Sequence, residues 1–295
     1  MLDFRVIQPS DIPLLQSVYH DENALGCEYN AVSAYLWSRE YALKIAEYNG
    51  SVIKAYCRDD GSVWGYCLPR GGNIAEAAEA VLLHAREQGE AAAFDYLSRE
   101  ERDMLERLFP DRFTYSVRED ARDYIYETEA LANLPGKKYH AKRNHVSRFH
   151  RAYPDAVLKP VNAGTIPDAL KVVRRWYRER DIDFTDYGEY GVIQDALIGL
   201  STYDMRGAVL YSGDTPVAMT LGCAISPLCF DVMFEKALRD FEGSYAVINQ
   251  EFAKTLTSYR YMNREEDMGL EGLRKAKHSY HPAVLYERFR AELNT

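Results

Sequence analysis

Residues Tyr259 to Pro282 read YRYMNREEDMGLEGLRKAKHSYHP, and the rest of the chain is organised around this stretch. It opens with a short apolar and aromatic run that predicts a strand. Three acids follow, Glu265, Glu266 and Asp267. Gly269 breaks the chain, a short helix rich in Arg and Lys comes next, and Pro282 stops it. Groups that bind, donate or accept protons are therefore gathered at a strand-to-helix junction. Open α/β sheets hold their ligands at the carboxyl ends of strands. A solvated loop before an ordinary surface helix is the alternative, and the stretch alone does not choose between the two.

Around it lies a chain of 295 residues, 47% apolar and 27% charged, which is long for one domain and comfortable for two. Its 23 tyrosines are a surplus that points to clefts or interfaces as well as core. The net charge of −9 and a pI near 5.4 argue against a general nucleic-acid binder, while leaving room for a local basic patch. The five cysteines, Cys27, Cys57, Cys67, Cys223 and Cys229, are odd in number and contain no CxxC. They make no legible disulfide framework and no zinc site, which fits a reducing, cytoplasmic setting with no metal. The opening MLDFRVIQPSD lacks an apolar signal core, and no apolar run approaches the roughly 18 residues of a membrane span.

Taken in order, the first half predicts a strand over Leu2 to Ile7, a helix capped by Ser10 that runs to Tyr19, and a second helix over Tyr29 to Ser38. Strands over Tyr41 to Tyr48 and Ser51 to Cys57 flank Asn49-Gly50, a two-residue hairpin signal, and Asp60-Gly61 turns the chain into Ser62 to Leu68. A helix over Ile74 to Glu87, a strand from Ala91 to Tyr96, a helix capped by Ser98, and strands near Arg112 to Val117 and Asp123 to Thr128 complete it. The second half repeats the order. It has a strand over Ala156 to Val161, helices over Thr165 to Arg180 and Tyr190 to Leu200, and strands over Gly207 to Tyr211, Pro216 to Ile225 and Leu228 to Phe234, the last ending at Glu235. A helix over Gly243 to Thr257, a strand over Tyr259 to Met262, a helix over Glu271 to Lys277 and a strand over Ala283 to Phe289 follow. This repeated order resembles the fold of the Gcn5-related N-acetyltransferases (GNAT). The expected class is α+β, a mixed α/β chain of two tandem GNAT-like domains, each a mixed, mostly antiparallel sheet flanked by helices. The expected boundaries are 1–128, a basic connecting helix over 129–154, and 155–295.

The connecting segment reads LPGKKYHAKRNHVSRFHRAYP. Tyr139, Val146, Phe149 and Tyr153 recur at spacings of 7, 3 and 4, one apolar stripe of a helix. The remaining surface carries Lys137, Lys138, Lys142, Arg143, Arg148 and Arg151 without an acid, a local reversal of sign in an acidic protein. This is a candidate phosphate- or RNA-binding face, with Lys137, Lys138, Lys142 and Arg143 its leading residues; docking on the acidic body is the alternative. His140, His145 and His150 are spaced by five, so a helix does not bring them onto one face as a metal site needs.

Three stretches carry a closer resemblance. They are Gly136 to His145 with Phe149 and Tyr153-Pro154; Phe234-Glu235-Lys236-Ala237 with Gly243-Ser244-Tyr245 and Ile248 to Ala253; and Asn263 to Gly269 with Glu271 to Lys277 and Tyr280-His281-Pro282. Together they are similar to the family related to the C-terminal domain of phosphatidylglycerol lysyltransferase. The resemblance implies an acyl or aminoacyl transferase whose donor is a CoA thioester (CoA or acyl-CoA) or an aminoacyl-tRNA. The acceptor would be a small amine or hydroxyl compound, with tRNA a possible partner and DNA none.

In such a fold the donor's phosphates meet backbone N–H groups where a loop enters the helix after the third central strand. Here the loop is Arg239 to Tyr245, with Gly243 permitting close approach and Ser244 positioned to cap. Phe234, Lys236, Arg239, Gly243, Ser244, Tyr245 and Lys275 are the candidate donor-binding residues. The loop Arg70-Gly71-Gly72-Asn73 is at least as glycine-rich and stays open as a second donor site. Glu235 is the candidate base, Asn263 the amide that orients a substrate, and Tyr280 the acid for a leaving thiolate or ribose oxygen. Glu265, Glu266 and Asp267 are candidates to hold a cationic acceptor or basic aminoacyl side chain, and Arg274, Lys275 and Lys277 to hold phosphate. A hydrolase has no support: there is no GxSxG, no HExxH, and no cysteine near a histidine in a recognisable arrangement. A non-catalytic module that binds RNA or an anionic headgroup remains the competing reading, and the acidic charge favours a small donor over tRNA.

Overall fold

The computed structural model describes residues 2–58, 60–90 and 92–294. The first part of the chain forms β1 (Arg5–Val6), α1 (Ile12–Tyr19), α2 (Ala31–Leu36), β2 (Leu43–Tyr48), β3 (Ser51–Cys57), β4 (Val63–Tyr66), β5 (Arg70–Gly71), α3 (Ile74–Gln88), β6 (Ala93–Leu97), α4 (Arg99–Leu108), β7 (Phe113–Val117), β8 (Asp123–Glu127) and α5 (Thr128–Asn133). Next come α6 (His140–Ala152), β9 (Val157–Pro160), α7 (Ile166–Arg178), α8 (Gly188–Ile198), β10 (Arg206–Ser212), β11 (Thr215–Ala224) and β12 (Cys229–Ala237). The chain closes with α9 (Ser244–Thr255), β13 (Tyr261–Asn263), α10 (Glu271–His278), β14 (Val284–Tyr286) and β15 (Phe289–Leu293).

Local chemistry accounts for many of these boundaries. Asn49 and Gly50 both adopt positive φ, 45° and 79°, and close the β2–β3 hairpin with Tyr48 opposite Ser51. Asn73 caps α3 through its side chain, and Gly89 ends that helix in the left-handed region. Ser98 and Glu101 form a reciprocal capping box on α4. Ser10 does not cap α1; it lies in a short 3-10 turn, where Gln8 and Asp11 exchange the capping bonds. The residues of α6 follow their predicted stripe, with Val146, Phe149 and Tyr153 packed inward.

Two mixed, mostly antiparallel sheets result. The first has the order β1-β2-β3-β4-β6-β15-β7, with β5 paired to β3, and the second β14-β8-β13-β12-β11-β10-β9. Each has one parallel pair, β4 with β6 and β12 with β13. The mixed α/β class and the two helix-flanked sheets agree with the expectation. The assignment of strands to sheets departs from chain order. Residues 123–127, expected in the first half, pair with β13 and β14 of the second sheet. The single strand expected at 283–289 is two strands. The break at Glu287-Arg288 sends β15 across to lie between β6 and β7. Of the strand expected from Ala91, residues 93–97 are found, and Ala91 itself lies outside the described residues.

Burial ties the halves together as well. One apolar cluster combines Leu15, Val32 and Leu36 of the first half with Val172, Val192, Ile193, Leu197 and Phe234 of the second. Fully burying each such side chain contributes about 1.5–3 kcal/mol, so this shared core holds the sheets in a fixed relation. Among the described residues no helix is long and apolar enough to cross a membrane.

Candidate functional site

A cleft of about 1230 Å3 lies between the halves. The first half contributes Glu28, Asn30, Lys54 and the rings of Tyr56, Trp64 and Tyr96. The second contributes Glu235 and Lys236 of β12, the start of α9, and the Arg264–Glu266 segment. Two groups of charges line it.

The acidic group is built on β12 and the turn after β13. Asp231 is fully buried behind the cleft wall; one oxygen accepts a bond from Asn30 Nδ2 at 2.9 Å, and the other has no protein donor among the described residues. Asn30 is the N-cap of α2, and its Oδ1 accepts from the Val32 and Ser33 amides, which turns the amide nitrogen toward Asp231. Burial, with Asp123 and Glu266 nearby, pushes the Asp231 carboxyl up to about 8. Burial and the charges of Asp231 and Glu266 push Glu265 well above the usual carboxylate range, and burial and Asp123 raise Glu266. Lys277 of α10 shapes this turn from below. Its ammonium donates to the carbonyls of Arg264 (2.5 Å), Glu265 (3.0 Å) and Glu266, while Glu265 takes a left-handed φ of 54°.

Asp123, at the start of β8, anchors the same end. It accepts bonds from Arg288 (2.9 Å), Asn263 (3.0 Å), the Cys27 amide (2.9 Å) and the Cys27 thiol (3.2 Å). Cys27, Asp123 and Glu266 place ligand atoms within 4.8 Å of one another, a spacing a small cation can use, but Arg288 already balances Asp123.

The second group surrounds the start of α9. Glu235 accepts from Arg264 at 2.8 Å, and its other oxygen has no donor among the described residues. Arg264 lies 5.2 Å from the centroid of the Tyr280 ring, and Lys142 lies 3.8 Å from it. Burial raises the Tyr280 hydroxyl to about 12, against the pull of Arg264, so it is a proton donor at neutral pH. Lys236 grips Glu189 at 2.8 and 2.9 Å and lies 4.2 Å from the Trp176 ring centroid. Gly243 precedes α9 with φ 93°, and a Cβ there would stand 2.7 Å from the His145 carbonyl oxygen.

The structure therefore brings Glu235, Lys236, Gly243, Tyr245, Glu265, Glu266, Tyr280 and Lys142 to one cleft. Other residues of the sequence reading lie elsewhere. Glu235 does not end β12, which continues to Ala237. Asn263 is fully buried behind the wall; it donates to Asp123 and to the Leu25 carbonyl, and its Oδ1 receives the Glu265 amide at 2.7 Å, so it positions the acidic turn. Asp267 is not free for a cationic substrate, because it is buried under a two-point bond from Arg274 and the Tyr124 hydroxyl at 2.6 Å. Burial opposes its ionisation, but the Arg274 and Tyr124 bonds hold it down at about 2.

Phe234 is core, Arg239 binds Glu179, and Lys275 pairs with Glu271 on an exposed face. Ser244 does not cap α9; its hydroxyl turns back to the Leu238 carbonyl at 3.3 Å. Lys137 and Lys138 are exposed outside the cleft wall, and Arg143 donates to the carbonyls of Leu134 and Gly136 just past α5. The glycine-rich loop at Arg70 is occupied by β5 pairing and by the bond from Arg70 to Glu101 at 2.5 Å. The sequence reading missed Asp231, Asn30, Asp123 and Arg288. Asp231 had a signal: a single acid inside the apolar run LCFDVMF.

Comparison with known proteins bears on the family and the fold. The family model described as phosphatidylglycerol lysyltransferase, C-terminal, matches residues 22–292. A conserved protein of unknown function from Bacteroides thetaiotaomicron VPI-5482 is similar over 100% of both chains, at 29% identity and a TM-score of 0.91. L-PGS from Bacillus licheniformis is similar over 97% of this chain and 92% of its own, at 16% identity and a TM-score of 0.65. An acetyltransferase of the GNAT family from Colwellia psychrerythraea covers 99% of this chain and 100% of its own, at 10% identity and a TM-score of 0.53. Likeness at these last two identities shows the fold alone. An uncharacterised protein of Mycoplasmoides gallisepticum is 21% identical over 175 residues, and the chain spans about half of that relative's length, 56%. The GNAT-like fold and the match over almost the whole chain lead to one assignment: the chain belongs to the family of the phosphatidylglycerol lysyltransferase C-terminal domain.

Proposed function

We propose that this protein transfers an aminoacyl or acyl group to an amine or hydroxyl acceptor, and that the cleft between its sheets is where transfer occurs. The observation that carries the reading is the acidic end of that cleft. Four acids that line it there, Glu28, Asp123, Glu265 and Glu266, with Asp231 buried beside them, outnumber three cations, Lys54, Lys277 and Arg288. Acids outnumber cations in this buried wall, and an entering ammonium group would stabilise their ionised forms. An aminoacyl ester brings its own ammonium, which favours aminoacyl-tRNA as donor over a CoA thioester. The exposed Lys137 and Lys138 offer charge for RNA phosphates.

In this reading the ionised form of Glu265, favoured once an ammonium group sits beside it, accepts the proton of the attacking group. The Glu235–Arg264 pair holds the wall opposite it, and the Tyr280 hydroxyl protonates the leaving oxygen or sulfur. The test is a single-turnover assay with labelled aminoacyl-tRNA and labelled acetyl-CoA, each with a panel of amine and hydroxyl acceptors. Transfer from the aminoacyl ester is expected. Transfer from acetyl-CoA alone would assign the thioester as donor. Failure of both donors to react would refute the transferase reading in favour of a binding module.

A further inference from the structure

We infer that Lys142 is a self-acylation site of this protein, its side-chain amine taking an acyl group from an activated carbonyl held in the cleft. The natural donor depends on the transferase reading above; the reactivity of the amine does not. Lys142 stands near the start of α6 and lines the cleft with Gly243, which precedes α9, and with Tyr245 and Ala246 of its first turn.

What sets Lys142 apart is its lack of a counter-charge. The other cleft cations are engaged: Lys54 by Glu28, Lys236 by Glu189, Arg264 by Glu235, Arg288 by Asp123, and Lys277 by three backbone carbonyls. Among the described residues no carboxylate or carbonyl accepts from Lys142. Its contact is the face of Tyr280, and its charged neighbour is Arg264, of like sign. Glu235 is held by Arg264, and Glu242, which lines the same cleft, by Arg148 at 3.1 Å. His145, one turn along α6, and Tyr245 line the same cleft. The Tyr280 ring favours the ammonium form. Burial and Arg264 outweigh it and bring Lys142 down to about 8, so roughly a tenth of it is free amine at pH 7, far more than for an ordinary lysine.

The step balances without a further reagent. The neutral Nζ attacks the acyl carbonyl, and a C–N amide bond forms. The C–S bond of a thioester or the C–O bond of an ester breaks, and the proton lost from nitrogen goes to the leaving thiolate or alkoxide. An amide is too stable to pass the group on, so the product is a lasting modification, not an intermediate. It removes the charge of Lys142 and fills the cleft beside α9, which makes the modification self-limiting for the enzyme.

The experiment uses the unmodified full chain in three arms: p-nitrophenyl acetate as a small ester, acetyl-CoA, and lysyl-tRNA. Each is followed by peptide mass spectrometry from pH 6.5 to 9, with the exposed Lys137 and Lys138 as internal references. At pH 7.5 the small ester should acylate Lys142 at least about tenfold faster than either reference, because a far larger fraction of its amine is unprotonated. Rates at Lys142 equal to or below the references would overturn the inference. Selective labelling by acetyl-CoA or lysyl-tRNA would support it and name the donor. Selective labelling by the small ester with none from either donor would uphold the reactive amine and count against the donors of the preceding section.

Discussion

Asp123 and Arg288 meet at 2.9 Å with each side chain about 1% exposed, and they join two strands that have crossed between sheets. Asp123 opens β8, which lies in the second sheet. Arg288 immediately precedes β15, which lies in the first. Desolvating both charges is costly, and the geometry offsets that cost through further bonds from Cys27 and Asn263 to the same carboxylate. Removing one partner strands the other charge. Arg288→Met is therefore expected to lower unfolding free energy by about 3–5 kcal/mol, with part of the loss recovered in Arg288→Met/Asp123→Asn. Urea unfolding of the four proteins of this cycle measures it. A single substitution costing less than about 1 kcal/mol would show that the pair does not hold the crossing.

The Asp231 carboxyl gives the fold a pH dependence of definite sign. Its folded value, about 8, lies above the unfolded value near 3.9, so the folded state binds more protons in between. Its contribution is fully present below about pH 4 and is lost as pH rises through about 8. Stability should fall across that window by up to about 1.4 kcal/mol per pH unit, with Glu265 and Glu266 acting in the same direction. Asp231→Asn should flatten the slope and stabilise the protein most at the alkaline end. Denaturant midpoints at pH 5 and pH 8 for both proteins test this; equal slopes would remove Asp231 as the cause.

For catalysis, Glu265→Gln should slow transfer by about 10²–10⁴-fold, the range for loss of a positioned base, while donor affinity changes little. Glu235→Gln removes the charge that Arg264 is paired with, so its effect should fall on donor affinity as well as on rate. Rapid-quench single-turnover rates and equilibrium binding, measured separately, distinguish the two. Wild-type rates in Glu265→Gln would rule that carboxylate out as base.

Gly243→Ala is expected to destabilise by about 1–3 kcal/mol. A non-glycine residue is strained at φ 93°, and the new methyl would press on the His145 carbonyl of α6. Thermal unfolding reads the loss. Because the strain lies between α6 and α9, binding of the donor should weaken together with stability, and unchanged binding would separate the start of α9 from the donor site.

Much of the fold was legible because its signals are local. Asn49-Gly50 can only be a tight hairpin in this setting, Ser98 with Glu101 announces a helix start, and the stripe of α6 follows the 3.6-residue period. The acidic turn Glu265-Glu266 was legible as a turn directly after a strand, and the structure places both residues on the cleft wall. Glu235 and Asn263 have partners that their place at a strand does not reveal. One turned out to be bound to Arg264 and the other sealed behind the wall, and neither fate can be seen from strand position alone.

By itself the sequence determined the elements, their alternation, the mixed α/β class and the family, because each rests on residues close together in the chain. Only the tertiary structure decided that β8 and β15 change sheets. It also decided that Asn30 reaches Asp231 across 201 positions, that Asp267 is consumed by Arg274, and that Lys142, alone of the cleft's lysines and arginines among the described residues, is left with no hydrogen-bond acceptor. The physical reason is desolvation. Whether an ionisable group is a ligand, a base or a strut depends on which charges share its buried surroundings, and those neighbours come from distant parts of the chain.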